Sequence, residues 1–262
     1  MKRIPVFLSA ASLFLLVPCS RAQEALKPQQ PSHAPDGGTV ERFTSIAIPS
    51  RPDAPFTANV NTEWIRNLPD GSNITLKNHR SVARDARGRI FEERAWFVPD
   101  DGKHESIAYQ IEISDPATHE RYVCRIAEHV CRLQNYFARE LARPVVAGSP
   151  VKQGGAGVES LGTQVVAGLE TVGTRETTVI ETGTIGNQSP ILERREFWYS
   201  AKLGVNLITK REEVRFNSQE NFEVTNLNLG EPDTKLFTPP DGFKILDLRN
   251  PPQRAAAATS PD

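Results

Sequence analysis

The sequence predicts an all-β fold, an antiparallel meander of hairpins, with few short helices. Three observations predict it. Apolar residues recur with period two, as in Ile107, Tyr109, Ile111 and Ile113 set between Ser106, Ala108, Gln110 and Glu112. Turn signals punctuate the chain at short intervals: Pro69-Asp70-Gly71, Asp85-Ala86-Arg87-Gly88, Pro99-Asp100-Asp101-Gly102 and Asp115-Pro116. No stretch carries the 3.6-residue apolar repeat of a long amphipathic helix.

Met1 to Gln23 reads as a secretory signal peptide. Lys2 and Arg3 give the positive start, Val6 to Val17 the short apolar run, and Ser20-Arg21-Ala22 a small-x-small cleavage site. A signal anchor is disfavoured because no second apolar segment follows. A lipid on Cys19 is disfavoured because Pro18 stands where a small residue is expected. The expectation is an exported chain, periplasmic or extracellular, with no transmembrane segment after processing. Residues 24–38, with Pro28, Pro31 and Pro35 among polar neighbours, read as a disordered tether. Residues 250–262 read as a disordered tail, and 39–249 as a single antiparallel β domain.

Strands are expected at Glu41 to Ile48, Phe56 to Leu68, Asn73 to Val82, Arg89 to Val98, Ile107 to Ile113 and Glu120 to Tyr136. A second set is expected at Glu159 to Ala167, Leu169 to Ile180, Leu192 to Ser200, Val205 to Phe216 and Asn221 to Leu229, with Gly168, Gly173, Gly183, Gly186 and Gly204 as turns or bulges. Short helical turns are expected at Phe137 to Arg143 and Glu231 to Phe237. Between the sets, residues 138–157 carry Pro144, Pro150 and Gly154-Gly155-Ala156-Gly157 with little strand patterning, and read as a flexible segment between two halves of one sheet system or as a linker.

Composition narrows the function. The chain carries a net charge of −1, and loss of Lys2, Arg3 and Arg21 with the leader takes it to −4. Nucleic-acid binding is not expected of such a chain, whose Lys and Arg are scattered among acids. No Gly-x-Ser-x-Gly elbow occurs, and none of His33, His79, His104, His119 and His129 sits at zinc-ligand spacing to another. The expectation is therefore a non-enzyme with no cofactor, no metal and no catalytic residue. Cys124 and Cys131, left after processing, are expected to form a disulfide across a hairpin. Pairing 124 with 131 sets Tyr122 against Leu133 on one face, with Ile126 to His129 as the loop. Two free thiols, or a metal site with His129 or His119, are the alternatives.

The aromatic residues supply the candidate ligand-binding set, Trp96, Trp198, Phe197 and Tyr199. Neighbours in a strand point to opposite faces, so Phe197 and Tyr199 oppose Trp198 and both faces need cover, from a two-sided core or from a hydrophobic pocket.

A resemblance rests on Glu196-Phe197-Trp198-Tyr199-Ser200, Leu203-Gly204-Val205, Thr209-Lys210-Arg211, Phe222-Glu223-Val224-Thr225-Asn226-Leu227 and Asp233-x-x-Leu236-Phe237-x-x-Pro240. These resemble the closing strands of periplasmic lipoprotein-carrier and sigma-factor-regulator half-barrel proteins. Over residues 40 to 247, Arg84-Asp85-Ala86-Arg87-Gly88-Arg89 and Leu161-Gly162-Thr163-Gln164 through Gly173-Thr174-Arg175-Glu176-Thr177 look like an uncharacterised family of exported bacterial β proteins. The resemblance implies a curved, half-barrel-like antiparallel sheet and a carrier-like or binding module for an apolar ligand such as a lipid or lipoprotein. The helical lid of the carriers has no counterpart here. The alternative is an envelope structural or protein-interaction module with no small ligand.

Overall fold

The computed structural model describes residues 46–137 and 157–249. The leader, the tether, the tail and all but the last residue of 138–157 lie outside the described residues. Alternation becomes thirteen strands: β1 (Phe56–Asn67), β2 (Asn73–Arg84), β3 (Ile90–Ala95), β4 (Val98–Pro99), β5 (Ala108–Asp115), β6 (Glu120–Arg125), β7 (Val130–Asn135), β8 (Val158–Val166), β9 (Leu169–Ile180), β10 (Ile191–Ser200), β11 (Val205–Glu213), β12 (Ser218–Asn228) and β13 (Lys244–Asp247). Short 3₁₀ turns occupy Val214–Phe216 and Thr234–Phe237.

All thirteen belong to one open sheet, ordered β13-β7-β6-β5-β3-β2-β1-β12-β11-β10-β9-β8, with β4 beside β2. It consists of two meanders joined where β1 pairs with β12. Every pairing is antiparallel except β13 with β7. The sheet curves, and the packing shows why it must. Ile90 of β3 and Val166 of β8 share one apolar cluster although they lie many strands apart in the sheet, a gap of roughly 34 Å if it were flat at ~4.8 Å per strand.

That cluster includes Phe56, Ala58 and Val60 of β1, Val82 of β2, Leu207 of β11 and Phe222 and Val224 of β12. Ile46 and Ile48 belong to it as well, in a segment expected to be a strand but without strand structure over its described residues. The opposite face of β2, β3 and β5 holds Ala83, Phe91 and Ile113, covered by Phe237 and Leu236 of the second 3₁₀ turn. Asp233 caps that turn by accepting from the Lys235 amide at 2.9 Å.

Local chemistry fixes the connections. In the Asp85 turn one carboxylate accepts from the amides of Arg87 (3.0 Å) and Arg89 (2.8 Å) and from Arg89 Nε (2.7 Å). Gly88 sits there at φ 83°, and a Cβ on it would fall 2.8 Å from Ser50 Oγ, so shape and space both demand glycine. The β6–β7 hairpin carries the expected disulfide between the fully buried Cys124 and Cys131. Tyr122 stands opposite Leu133, and the loop spans Ile126 to His129. The Cα atoms of the cysteines lie 3.9 Å apart, the closer of the two antiparallel spacings.

Two further expectations need correction. The strand expected through Phe216 ends at Glu213, and the chain turns through Val214–Phe216 into left-handed Asn217 (φ 49°). The regular alternation from Ile107 is also broken. Gln110 faces Arg94 and Ala108 faces Ala95, so Tyr109 is a bulged residue and Ile107 is 68% exposed.

Candidate binding surface

The centre of one sheet face is filled by the protein itself. Residues Ile46 to Ala54 lie against it, tied down by the guanidinium groups of Arg84 and Arg80. Buried Arg84 donates to three carbonyls: Nε to Ala54 (3.0 Å), Nη1 to Pro49 (2.9 Å) and Nη2 to Leu203 (2.7 Å), with its guanidinium 5.0 Å from the Phe56 ring centroid. Burial, helped by the nearby Arg51, pushes this guanidinium down to about 10. Arg80 Nη2 donates to the Ile46 carbonyl at 3.1 Å. Nothing in the residue pattern of β2 distinguishes these arginines from surface ones, because their partners are carbonyls distant in sequence.

Beside this closure runs a half-buried ladder of alternating charge across β2, β3, β5 and β6. Arg80 meets Glu92 (3.3 Å), Glu92 meets Arg94 (3.9 Å), and Glu112 accepts from Arg94 (3.1 Å) and Arg121 (2.5 Å). Gln110 Nε2 adds a third donor to Glu112 at 2.7 Å. Burial works to raise the Glu112 carboxyl, but the two guanidinium groups and their hydrogen bonds outweigh it and hold the carboxyl at about 2. The ladder has the chemistry of a structural ion-pair network, each carboxylate being paired with two guanidinium groups.

The four aromatic candidates divide between two places. Trp198 is half-buried against the main core, in register with Gly173 of β9 and Ile208 of β11. A Cβ on Gly173 would lie 2.6 Å from the indole ring, so the glycine makes room for it. Phe197 faces Thr209 and Thr174, and Tyr199 follows a bulge, opposite Asn206 and Val172; both are half-buried. Trp96 stands apart from these three, across β2, β1, β12 and β11 in the sheet order.

Trp96 is 59% exposed. Its ring lies 4.3 Å from that of Tyr109, tilted by 30°, and the Arg125 guanidinium sits 5.8 Å from the Tyr109 centroid. The backbone holds the tryptophan firmly: its amide donates to the Ile107 carbonyl (3.0 Å), and its carbonyl accepts from Ser106 Oγ (2.7 Å). Trp96 and Tyr109 thus form an aromatic ledge at the start of β5, with exposed Ile107 joined to Trp96 through the backbone and the Arg125 cation beside Tyr109. Tyr109, Ile107 and Arg125 were outside the sequence-derived set. The bulge that turns Tyr109 toward Trp96 depends on the β3–β5 register, which period two does not reveal.

Two shallow clefts also occur. One of about 290 Å³ is lined by Thr57, Asn59, Ser81, Phe91, Glu93 and Leu236, among others, and one of about 280 Å³ by Arg66, Leu68, Pro69, Arg215, Phe216 and others. None of the four aromatic candidates lines either. Among the described residues there is no group of three or more His, Cys, Asp and Glu side chains able to hold a metal ion, and no helix long and apolar enough to cross a membrane.

No family model matches the chain, and no curated protein matches it. Solved structures with similar folds include an uncharacterised conserved protein from Thermus thermophilus, with 8% identity over 74% of this chain and 90% of that one and a TM-score of 0.39. The MucA/MucB complex of Pseudomonas aeruginosa matches with 14% identity over 74% of this chain and 58% of that one, at a TM-score of 0.37. A LolA superfamily protein from Nitrosomonas europaea matches with 11% identity over 72% of this chain and 91% of that one, at 0.27. This chain spans little more than half the length of the MucB chain, and at such distances each match is a likeness of fold alone.

Proposed function

We propose that the protein is an exported, non-catalytic binding module of the cell envelope that takes an apolar or amphiphilic ligand, such as the acyl part of a lipid or lipoprotein, on the Trp96 ledge. The single observation that carries this reading is an indole left 59% exposed yet stacked on Tyr109 and fixed at both backbone groups. A rigid exposed aromatic offers apolar area at little cost in side-chain entropy. Arg125 beside it suits an anionic headgroup. The ligand would rest on the surface, because residues 46 to 54 fill the centre of the face.

The test is titration of a fluorescent fatty acid into the wild type and Trp96→Ala. Loss of the ledge should weaken binding by about tenfold, equivalent to ~1.4 kcal/mol, with the melting midpoint unchanged because the indole supports no core. No saturable binding by the wild type, or equal binding by the variant, overturns the lipid reading. The filled face favours a second reading, an interaction module whose ledge contacts a protein. A partner captured from the envelope by the wild type and lost with Trp96→Ala, without fatty-acid binding, would support it.

A further inference from the structure

The two edges of the sheet are built differently. β13 has four residues, two of them charged, and Arg249 beyond it reaches Asp247 and Glu120, each at 2.6 Å. Such an edge is short and charged, two common protections against pairing with another chain. β8 has nine residues, no proline and one charge, Glu159, already engaged by Arg175 Nη1 at 2.9 Å. Among the described residues only β9 pairs with it. A bulge displaces Leu161, but Gly162 to Val166 run in regular register with Gly173 to Leu169. Val165 is 73% exposed, and Val172, opposite Thr163 on β9, is 47% exposed.

We infer that β8 pairs antiparallel with β8 of a second copy of this chain, about a two-fold axis at Gln164. The occupant follows from self-complementarity. In this register Val165 of one copy faces Thr163 of the other, whose own neighbour is Val172, so a row Val172–Thr163–Val165, ending at Glu170 beside Val165, forms twice. Gly162 faces Val166, a pair without crowding. Glu159 falls outside the paired segment, so no like charges meet. Gln164, exposed at the centre, faces its own copy.

Sedimentation velocity over a concentration series tests this with the full mature chain, Gln164→Lys, Gln164→Glu and an equal mixture of the two variants. Circular dichroism and melting establish that each variant keeps its fold. The wild type should show a reversible dimer. Each variant alone, placing like charges face to face, should weaken it by roughly fivefold or more. The mixture should recover dimer through the Lys–Glu pair. A wild type that stays monomeric, variants that associate as the wild type does, or a mixture that fails to recover would each overturn the assignment.

Discussion

Glu112 gives the sharpest stability prediction, because one buried carboxylate accepts from three side chains. Replacing it by Gln keeps the volume, removes the charge and leaves Arg94 and Arg121 without their common anion. A carboxyl that titrates at about 2 in the folded chain and near 4.5 when unfolded contributes roughly 3 kcal/mol at neutral pH. Solvent reduces that figure little at Glu112, whose side chain is 8% exposed, and more at Arg94 and Arg121, which are about one-third exposed. The folded value is depressed, so the contribution is complete above about pH 4.5 and lost as pH falls through the folded value near 2. Urea unfolding followed by tryptophan fluorescence, at steps from pH 7 to pH 2, should show Glu112→Gln about 2–3 kcal/mol less stable at neutral pH. The wild-type and variant curves should converge at the acid end, where both carry a neutral group. Other carboxylates titrate in both proteins and cancel in the difference. A constant gap across the whole range would refute the reasoning, since it would mean that the loss does not come from removing the Glu112 charge.

Two further outcomes follow from packing. Gly173→Ala should destabilise by roughly 1–3 kcal/mol in denaturant melts, because its Cβ would enter the Trp198 ring, and Trp198→Leu should recover part of the loss; a neutral Gly173→Ala would mean the indole moves freely. Changing both Cys124 and Cys131 to Ala should cost about 2 kcal/mol, as expected for a loop of this length, and neither native cysteine should react with an alkylating agent before unfolding; rapid labelling of the native protein would contradict the bond.

The elements readable from sequence are those in which local pattern and global placement agree. β9 runs from Leu169 to Ile180 as its alternation and flanking glycine predict, and the Cys124–Cys131 register follows from matched faces and loop length. β13 was illegible. Lys244 to Asp247 is four residues long, mostly exposed, and becomes a strand only by lying parallel to β7, a pairing no local pattern encodes. The closed face was equally hidden, because Arg84 is recognisable as an interior residue only once the carbonyls of Pro49, Ala54 and Leu203 surround it. The exposed ledge was half legible. Trp96 stood out by residue type, whereas Tyr109 read as one more alternating core residue until the bulge set it against the indole.

The pairing of β1 with β12 also governs the order in which this chain can fold. Thr62 stands opposite Phe222 and Val60 opposite Val224, so the central strands of the sheet belong to opposite ends of the described chain. The hairpins on either flank close over short loops and can form early. The junction between them requires an encounter across more than a hundred intervening residues, with its loop-closure entropy lost before the Phe56 and Phe222 contacts form. Until then β1 presents an open edge and an apolar face. The late step of folding therefore sits at the geometric middle of the sheet, and a nascent chain that stops short of Ser218 lacks the strand needed to complete it.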